Sequence, residues 1–164
     1  MVTKGYILDN LKQIERLYNS SSSIHQSSFY SKLAIIELCG WIEISMDDIV
    51  LRIATRKLRD AKNLDYIKKI VKRTYGFDYE HHFLPMLEAV IGRHGIKRMN
   101  ARIDNGLVQP LFGALSLLKP ARDQLAHNFI KGITPIIDAP SVTRTRFKVV
   151  YEGLRNIEKV LQKI

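Results

Sequence analysis

Leu33-Ala-Ile-Ile-Glu-Leu-Cys-Gly-Trp-Ile-Glu-Ile44 is apolar at almost every position. A helix with one apolar stripe lies on a core, whereas a helix that is apolar nearly all round must be buried on several sides. From Ser28 to about Leu58 the chain has no proline and one glycine, Gly40. The pattern therefore predicts a single helix of roughly thirty residues, about 45 Å long. Such a helix is the central pillar of an all-α fold, an antiparallel helical bundle with short accessory helices around it. Trp41 and Cys39 are read as core residues. Glu37, Glu43, Asp47 and Asp48 interrupt the run, and a carboxylate in that setting needs a cation. The pairing expected is Glu37 or Glu43 with Arg122 across the core. Arg52, Arg56, Lys57 and Arg59 close the helix and complement its dipole.

Upstream, Ile7, Leu11, Ile14 and Leu17 mark an amphipathic helix over 5–20, ended by the polar tract Ser20 to Ser23, with His25 in the loop that follows. Downstream, residues 62–75 form a third helix with Leu64, Ile67, Ile70 and Val71 inward and Lys68, Lys69, Lys72 and Arg73 outward, closed by Gly76. Phe77 to Phe83 interleaves aromatic and polar residues before Pro85 and a short helix from Met86 to Ile91. Gly92-Arg-His-Gly-Ile-Lys-Arg-Met-Asn-Ala-Arg102 reads as a basic loop bracketed by glycines. A compact helix follows over Val108 to Leu118. Two prolines then mark a connector, Gly132 to Pro140, and a final helix from Ser141 carries Phe147, Val150, Leu154, Ile157 and Leu161 on one face.

Between these lies Lys119-Pro-Ala-Arg-Asp-Gln-Leu-Ala-His-Asn-Phe-Ile-Lys131. Pro120 suits a first helical turn, where its missing N–H has no partner to lose. Leu118, Ala121, Leu125 and Phe129 then form an apolar stripe. On the other side Arg122 and His127 stand about 140° apart around the axis, with Asp123, Ala126 and Ile130 between them. That surface holds a permanent cation, an imidazole and a carboxylate, and its alanine lets another helix approach.

Arg122-Asp-Gln-Leu-Ala-His127 resembles the Arg-x4-6-His motif of the HEPN superfamily, the higher eukaryotes and prokaryotes nucleotide-binding domain. The likeness extends to an all-helical plan with a long early helix and the motif late in the chain. It implies a symmetric homodimer in which two motifs line one cleft and RNA is cut without a metal, leaving 2′,3′-cyclic phosphate and 5′-hydroxyl ends. It also implies a toxin or antiviral role, with a possible antitoxin or regulatory partner. The alternative within the same family is a non-catalytic dimer that binds nucleic acid or a protein. Arg122 and His127 are the catalytic candidates, supported by Asp123 and Asn128.

The chemistry suits those residue types. Attack by a 2′-hydroxyl needs a proton acceptor, a proton donor for the leaving 5′-oxygen and positive charge beside the phosphorane. Histidine, with an ordinary pKa of about 6.5, serves the first two. The guanidinium, always charged and bidentate, serves the third.

Composition agrees with a polyanionic partner. The 164 residues, 46% of them hydrophobic, suit one domain over 1–164, and their net charge is +10. Residues 1–60 are nearly balanced, with eight basic and seven acidic side chains, whereas 61–104 carry nine against five and 105–164 nine against four. Lys69, Lys72, Arg73, Arg93, Lys97, Arg98, Arg102, Lys119 and Lys131 are the candidate RNA contacts. One cysteine excludes a disulfide framework and any multi-cysteine metal site. His81 and His82 are adjacent, so they point to different faces, and no third ligand stands at a useful spacing; no metal is expected. The glycines match neither a P-loop nor a dinucleotide fingerprint, so no cofactor is expected. With no secretory signal and no run of about 18 apolar residues, a cytoplasmic protein without a membrane span is expected.

Overall fold

The computed structural model describes residues 1–127, 130 and 137–164. Six α-helices, α1 Gly5–Asn19, α2 Ile24–Lys57, α3 Ala61–Arg73, α4 Leu84–Asn100, α5 Asn105–His127 and α6 Pro140–Leu161, are joined by loops and by one wide π-helical turn, Tyr79–Phe83. The all-α bundle expected from the sequence is what forms, and no strand occurs among the described residues.

α2 is the pillar and touches every other element. Its Leu38, Ile42, Met46, Ile49 and Ile53 are all but fully buried. It begins four residues earlier than the sequence predicts, because the Ser23 side chain accepts the Gln26 N–H at 3.2 Å and supplies an N-cap. His25 therefore lies in the first turn of α2 and not in a loop; it is exposed, edge-on to Phe29. Cys39 is buried as expected, its thiol pushed up to about 12 mainly by burial. Trp41 is only half-buried: its ring meets Phe147 at 5.0 Å and its indole N–H donates to the Thr3 carbonyl at 3.0 Å. The amphipathic faces of α1 and α6 bury Ile7, Leu11 and Ile14, and Phe147, Val150, Leu154, Ile157 and Leu161, as the spacing predicts; Leu17 stays 41% exposed. α5 and α6 pack closely at Gly153, where a Cβ would stand 2.6 Å from Leu111 Cβ and 3.0 Å from the Leu107 carbonyl oxygen.

Two further boundaries differ from the sequence reading. Pro120 does not begin a helix: Val108 to Leu118 and the motif are one continuous helix, α5, with Pro110 and Pro120 inside it. Each proline costs one helical hydrogen bond, about 3 kcal/mol. Burial of Leu111, Leu115, Leu118 and Leu125 along the same side offsets this. Residues 93–100 are not a loop either. They are the second half of α4, which kinks at Gly92, where φ is +67°. Gly92 breaks the helix as expected, but Gly95 lies within it and packs on the Ile91 side chain.

The acidic residues of α2 find separate partners. Glu37 accepts from Asn10 Nδ2 at 3.2 Å, while Glu43 accepts the Gly76 N–H at 2.8 Å. Asp47, one turn beyond Glu43, is raised to about 6 by burial first, then by the charges of Glu43 and Asp48. A carboxyl whose folded value exceeds its unfolded one binds protons more tightly in the fold, so stability falls as pH rises from about 4 to 6. The full shift corresponds to about 3 kcal/mol, and solvent screening of a half-exposed group reduces it to about 1–2 kcal/mol. Asp47→Asn is therefore expected to be more stable than wild type by that amount at pH 7.5 in urea unfolding, with the gap closing by pH 4. A gap that is the same at both pH values would show that Asp47 is not strained by its charge.

Candidate functional site

Arg122 is held in a crevice between α5 and the segment that leads into the π-turn. α3 ends at Arg73, with Thr74 N–H bonded to the Val71 carbonyl, and the chain turns at Gly76 with φ +107°. This is left-handed backbone that favours glycine. A side chain here would also crowd the His82 ring. A Cβ would lie 2.9 Å from His82 Cε1, 3.0 Å from His82 Nδ1 and 3.4 Å from Arg122 Nη2. The imidazole and the guanidinium thus both approach a residue without a side chain.

The guanidinium carbon stands 5.4 Å from the centre of the Phe77 ring, a cation–π contact. Arg122 Nε is 3.0 Å from Asp123 Oδ1, close enough for charge attraction. Its N–H does not aim at that oxygen, and it is buried without a hydrogen-bond acceptor. Lys119 Nζ approaches Asp123 Oδ2 at 3.8 Å. Arg122 is felt as far as Cys39, where its positive charge partly opposes the effect of burial. Glu43 makes no ion pair with Arg122; the two are linked through Gly76, which Glu43 caps and Arg122 flanks.

The π-turn follows from Asp78. Its carboxylate accepts the N–H groups of Glu80 and His81 at 3.0 and 2.8 Å, and its carbonyl accepts those of His82 and Phe83, both at 3.0 Å. The bonds to the carboxylate, the His81 N–H foremost, hold the Asp78 carboxyl below the usual carboxylate range. As adjacency demands, the two histidines part. His81 is exposed, with Nδ1 2.9 Å from Asp78 Oδ1. His82 is half-buried and accepts the Asp78 N–H on Nδ1 at 3.2 Å, which assigns the proton of its neutral ring to Nε2.

The same turn presses Tyr79 against Phe112 of α5, ring centres 4.4 Å apart. Burial pushes the Tyr79 hydroxyl up to about 12 and leaves it without a hydrogen-bond partner. A pocket of about 280 Å³ opens beside these rings, rimmed by Asp78, His81, Ser116 and Lys119. Aromatic walls with a cation at the rim suit an unpaired base next to its phosphate.

The expected site residues are distributed as follows. Lys119, Arg122 and Asp123 are brought together with His82 and Phe77. His127 ends α5, exposed, and makes no contact with Arg122 among the described residues; five residues along a helix separate them by about 7.5 Å of rise. Asn128 and Lys131 lie outside the described residues, as does Phe129 of the apolar stripe. Lys69, Lys72 and Arg73 are exposed on α3, Lys97 and Arg98 on the second half of α4, and Arg102 in the turn after it. Arg93 is paired with Glu88 at 2.9 Å. Sequence reasoning missed His82, Gly76 and Phe77 as neighbours of Arg122. The available signal was a glycine in a turn directly before an aromatic and an aspartate four residues before a histidine.

Among the described residues no three His, Cys, Asp or Glu side chains are grouped as metal ligands, and no helix is long and apolar enough to cross a membrane. Family models, curated proteins and solved structures give no match to this chain.

Proposed function

We propose that the protein is a metal-independent endoribonuclease that acts as a symmetric dimer, with Arg122 holding the scissile phosphate. The observation that supports this reading most is the Arg122 guanidinium, fixed beside the His82 imidazole with a buried N–H still unpaired, next to a pocket with aromatic walls and Lys119 at its rim. The likeness of Arg122 to His127 to the HEPN motif and the net charge of +10 point the same way.

In the reaction the 2′-oxygen loses its proton to a base and attacks phosphorus. The bond from phosphorus to the 5′-oxygen breaks, and an acid protonates that oxygen. The products are a 2′,3′-cyclic phosphate and a 5′-hydroxyl. His127, exposed on the turn after Arg122, moves protons where two copies bring their α5 helices together. His82 positions Arg122.

The test is incubation of labelled single-stranded RNA with the protein in chelator. Wild type is expected to leave cyclic phosphate ends, His127→Ala to lose about 10²-fold or more in rate, and His82→Ala less than about tenfold. If the larger loss falls on His82→Ala, proton transfer belongs to the crevice of one chain. If chelator abolishes cleavage, the metal-free mechanism is wrong.

A second reading, a non-catalytic dimer that binds nucleic acid or a partner protein, is favoured by the seating of Arg122 on Phe77 beside Asp123, an arrangement that also serves packing. A folded dimer that binds RNA and never cuts it would establish that reading.

A further inference from the structure

A second cavity, of about 270 Å³, lies where the end of α2 meets the kink of α4. Lys57, His94 and Arg98 surround it over an apolar floor of Leu58, Val90, Ile91 and Ile164, with Gly95 beside them, and no acidic side chain lines it. None of the three basic residues has an ion pair or hydrogen-bond partner among the described residues, although ten of the described cationic groups do pair elsewhere in the fold. The cavity is built without α5.

Its construction rests on two glycines. Gly92, at φ +67°, breaks α4 and turns the second half of the helix, which carries His94 and Arg98, toward the end of α2. Gly95 lets the Ile91 side chain fold against the backbone, since a Cβ there would stand 2.7 Å from Ile91 Cβ. A larger residue at 95 would push Ile91 into the cavity. Unpaired cations converging on a shaped hollow suit a group with several acceptor oxygens and full negative charge, and exclude a cationic or purely apolar ligand.

We propose that this cavity binds backbone phosphate of single-stranded RNA, apart from the Arg122 crevice, so that the strand is held at two places. The inference rests on the reading of the protein as acting on RNA. Lys57 and Arg98 supply fixed positive charge, and His94 donates a hydrogen bond from its ring.

The experiment uses a fluorescein-labelled 2′-O-methyl RNA, which has no 2′-hydroxyl to attack, and follows anisotropy with the full chain from 50 to 300 mM salt. The paired variant Lys57→Ala with Arg98→Ala is expected to bind about tenfold more weakly at 100 mM. Its slope of log affinity against log salt should be shallower by about 1.4, or 0.7 for each phosphate no longer neutralised. Both positions are exposed, and unchanged circular dichroism checks that the fold is kept. Lys12→Ala with Lys148→Ala removes equal charge from α1 and α6 and is expected to change little. An equal loss in that control, an unchanged slope in the cavity variant, or no RNA binding by wild type would overturn the proposal. Binding through the cavity by a protein that never cuts RNA would sink the nuclease reading alone. Cleavage by wild type with unchanged binding in the cavity variant would sink the cavity alone.

Discussion

Arg122→Ala is expected to slow RNA cleavage by about 10² to 10³, the size of effect seen when one donor to a developing negative charge is removed. Its cost in stability should be small by comparison. The substitution removes a cation–π approach to Phe77 and an attraction to a half-exposed Asp123, together worth about 1 kcal/mol. The contrast between a large kinetic loss and a nearly unchanged urea midpoint separates a phosphate-binding role from a packing role. Arg122→Lys makes the comparison sharper. A lysine keeps the charge but lacks the planar fork that grips two oxygens, so it should recover less than a tenth of the lost rate. If Lys restored full activity, point charge alone would be sufficient and bidentate binding would be wrong. If Ala left the rate intact, Arg122 would not touch the reacting phosphate.

Glu158→Ala is expected to destabilise the fold by about 3–5 kcal/mol, the cost of removing one partner from a buried charge cluster. The Glu158 side chain is 2% exposed and accepts from Arg52 Nε at 2.9 Å and from the Val2 N–H at 2.6 Å, with the Met1 amino group at 3.2 Å. It ties the start of the chain and α2 to α6. Without it a half-buried guanidinium, whose Nη2 is already buried and unpaired, would lose its main partner, and Asp48 at 3.5 Å is too exposed to replace it. Against a typical total of about 5–15 kcal/mol, this would leave little margin. Glu158→Gln keeps shape and one acceptor and should cost roughly half as much. Urea unfolding with both variants checks the order; a loss below about 1 kcal/mol in the alanine variant would show that the cluster is dispensable.

The pillar was legible because its signal is long and summed over many residues: the apolar run of Leu33 to Ile44 favours burial on several sides. The faces of α1, α3 and α6 were legible for the same reason. Pro120 misled because its penalty is local, whereas Leu118 and Leu125 on either side of it share a burial that only the tertiary structure reveals. The glycine pair 92 and 95 misled because one glycine serves backbone conformation and the other close packing, and composition does not separate the two uses. Arg122 could be singled out by type and setting. Its neighbours could not, since His82, Gly76 and Phe77 come from a turn far upstream and no periodicity connects a π-turn to the helix it packs against. The expected pairing of Glu37 or Glu43 with Arg122 does not form: Glu37 accepts from Asn10, and Glu43 accepts from Gly76, which Arg122 flanks.

The two prolines inside α5 bear on how the site moves. Pro110 leaves the Gly106 carbonyl, and Pro120 the Ser116 carbonyl, without its usual helical partner. The seven residues from Ala121 to His127 hang beyond the second interruption, and Leu125 is their one buried anchor. Opening of this last stretch breaks few hydrogen bonds and exposes little apolar surface, so amide exchange there should run through local fraying while Leu111 to Leu118 exchange only with the bundle as a whole. Arg122 sits at the start of that stretch and His127 at its end. The distance between them can therefore adjust to a bound strand or to a second copy without disturbing the pillar.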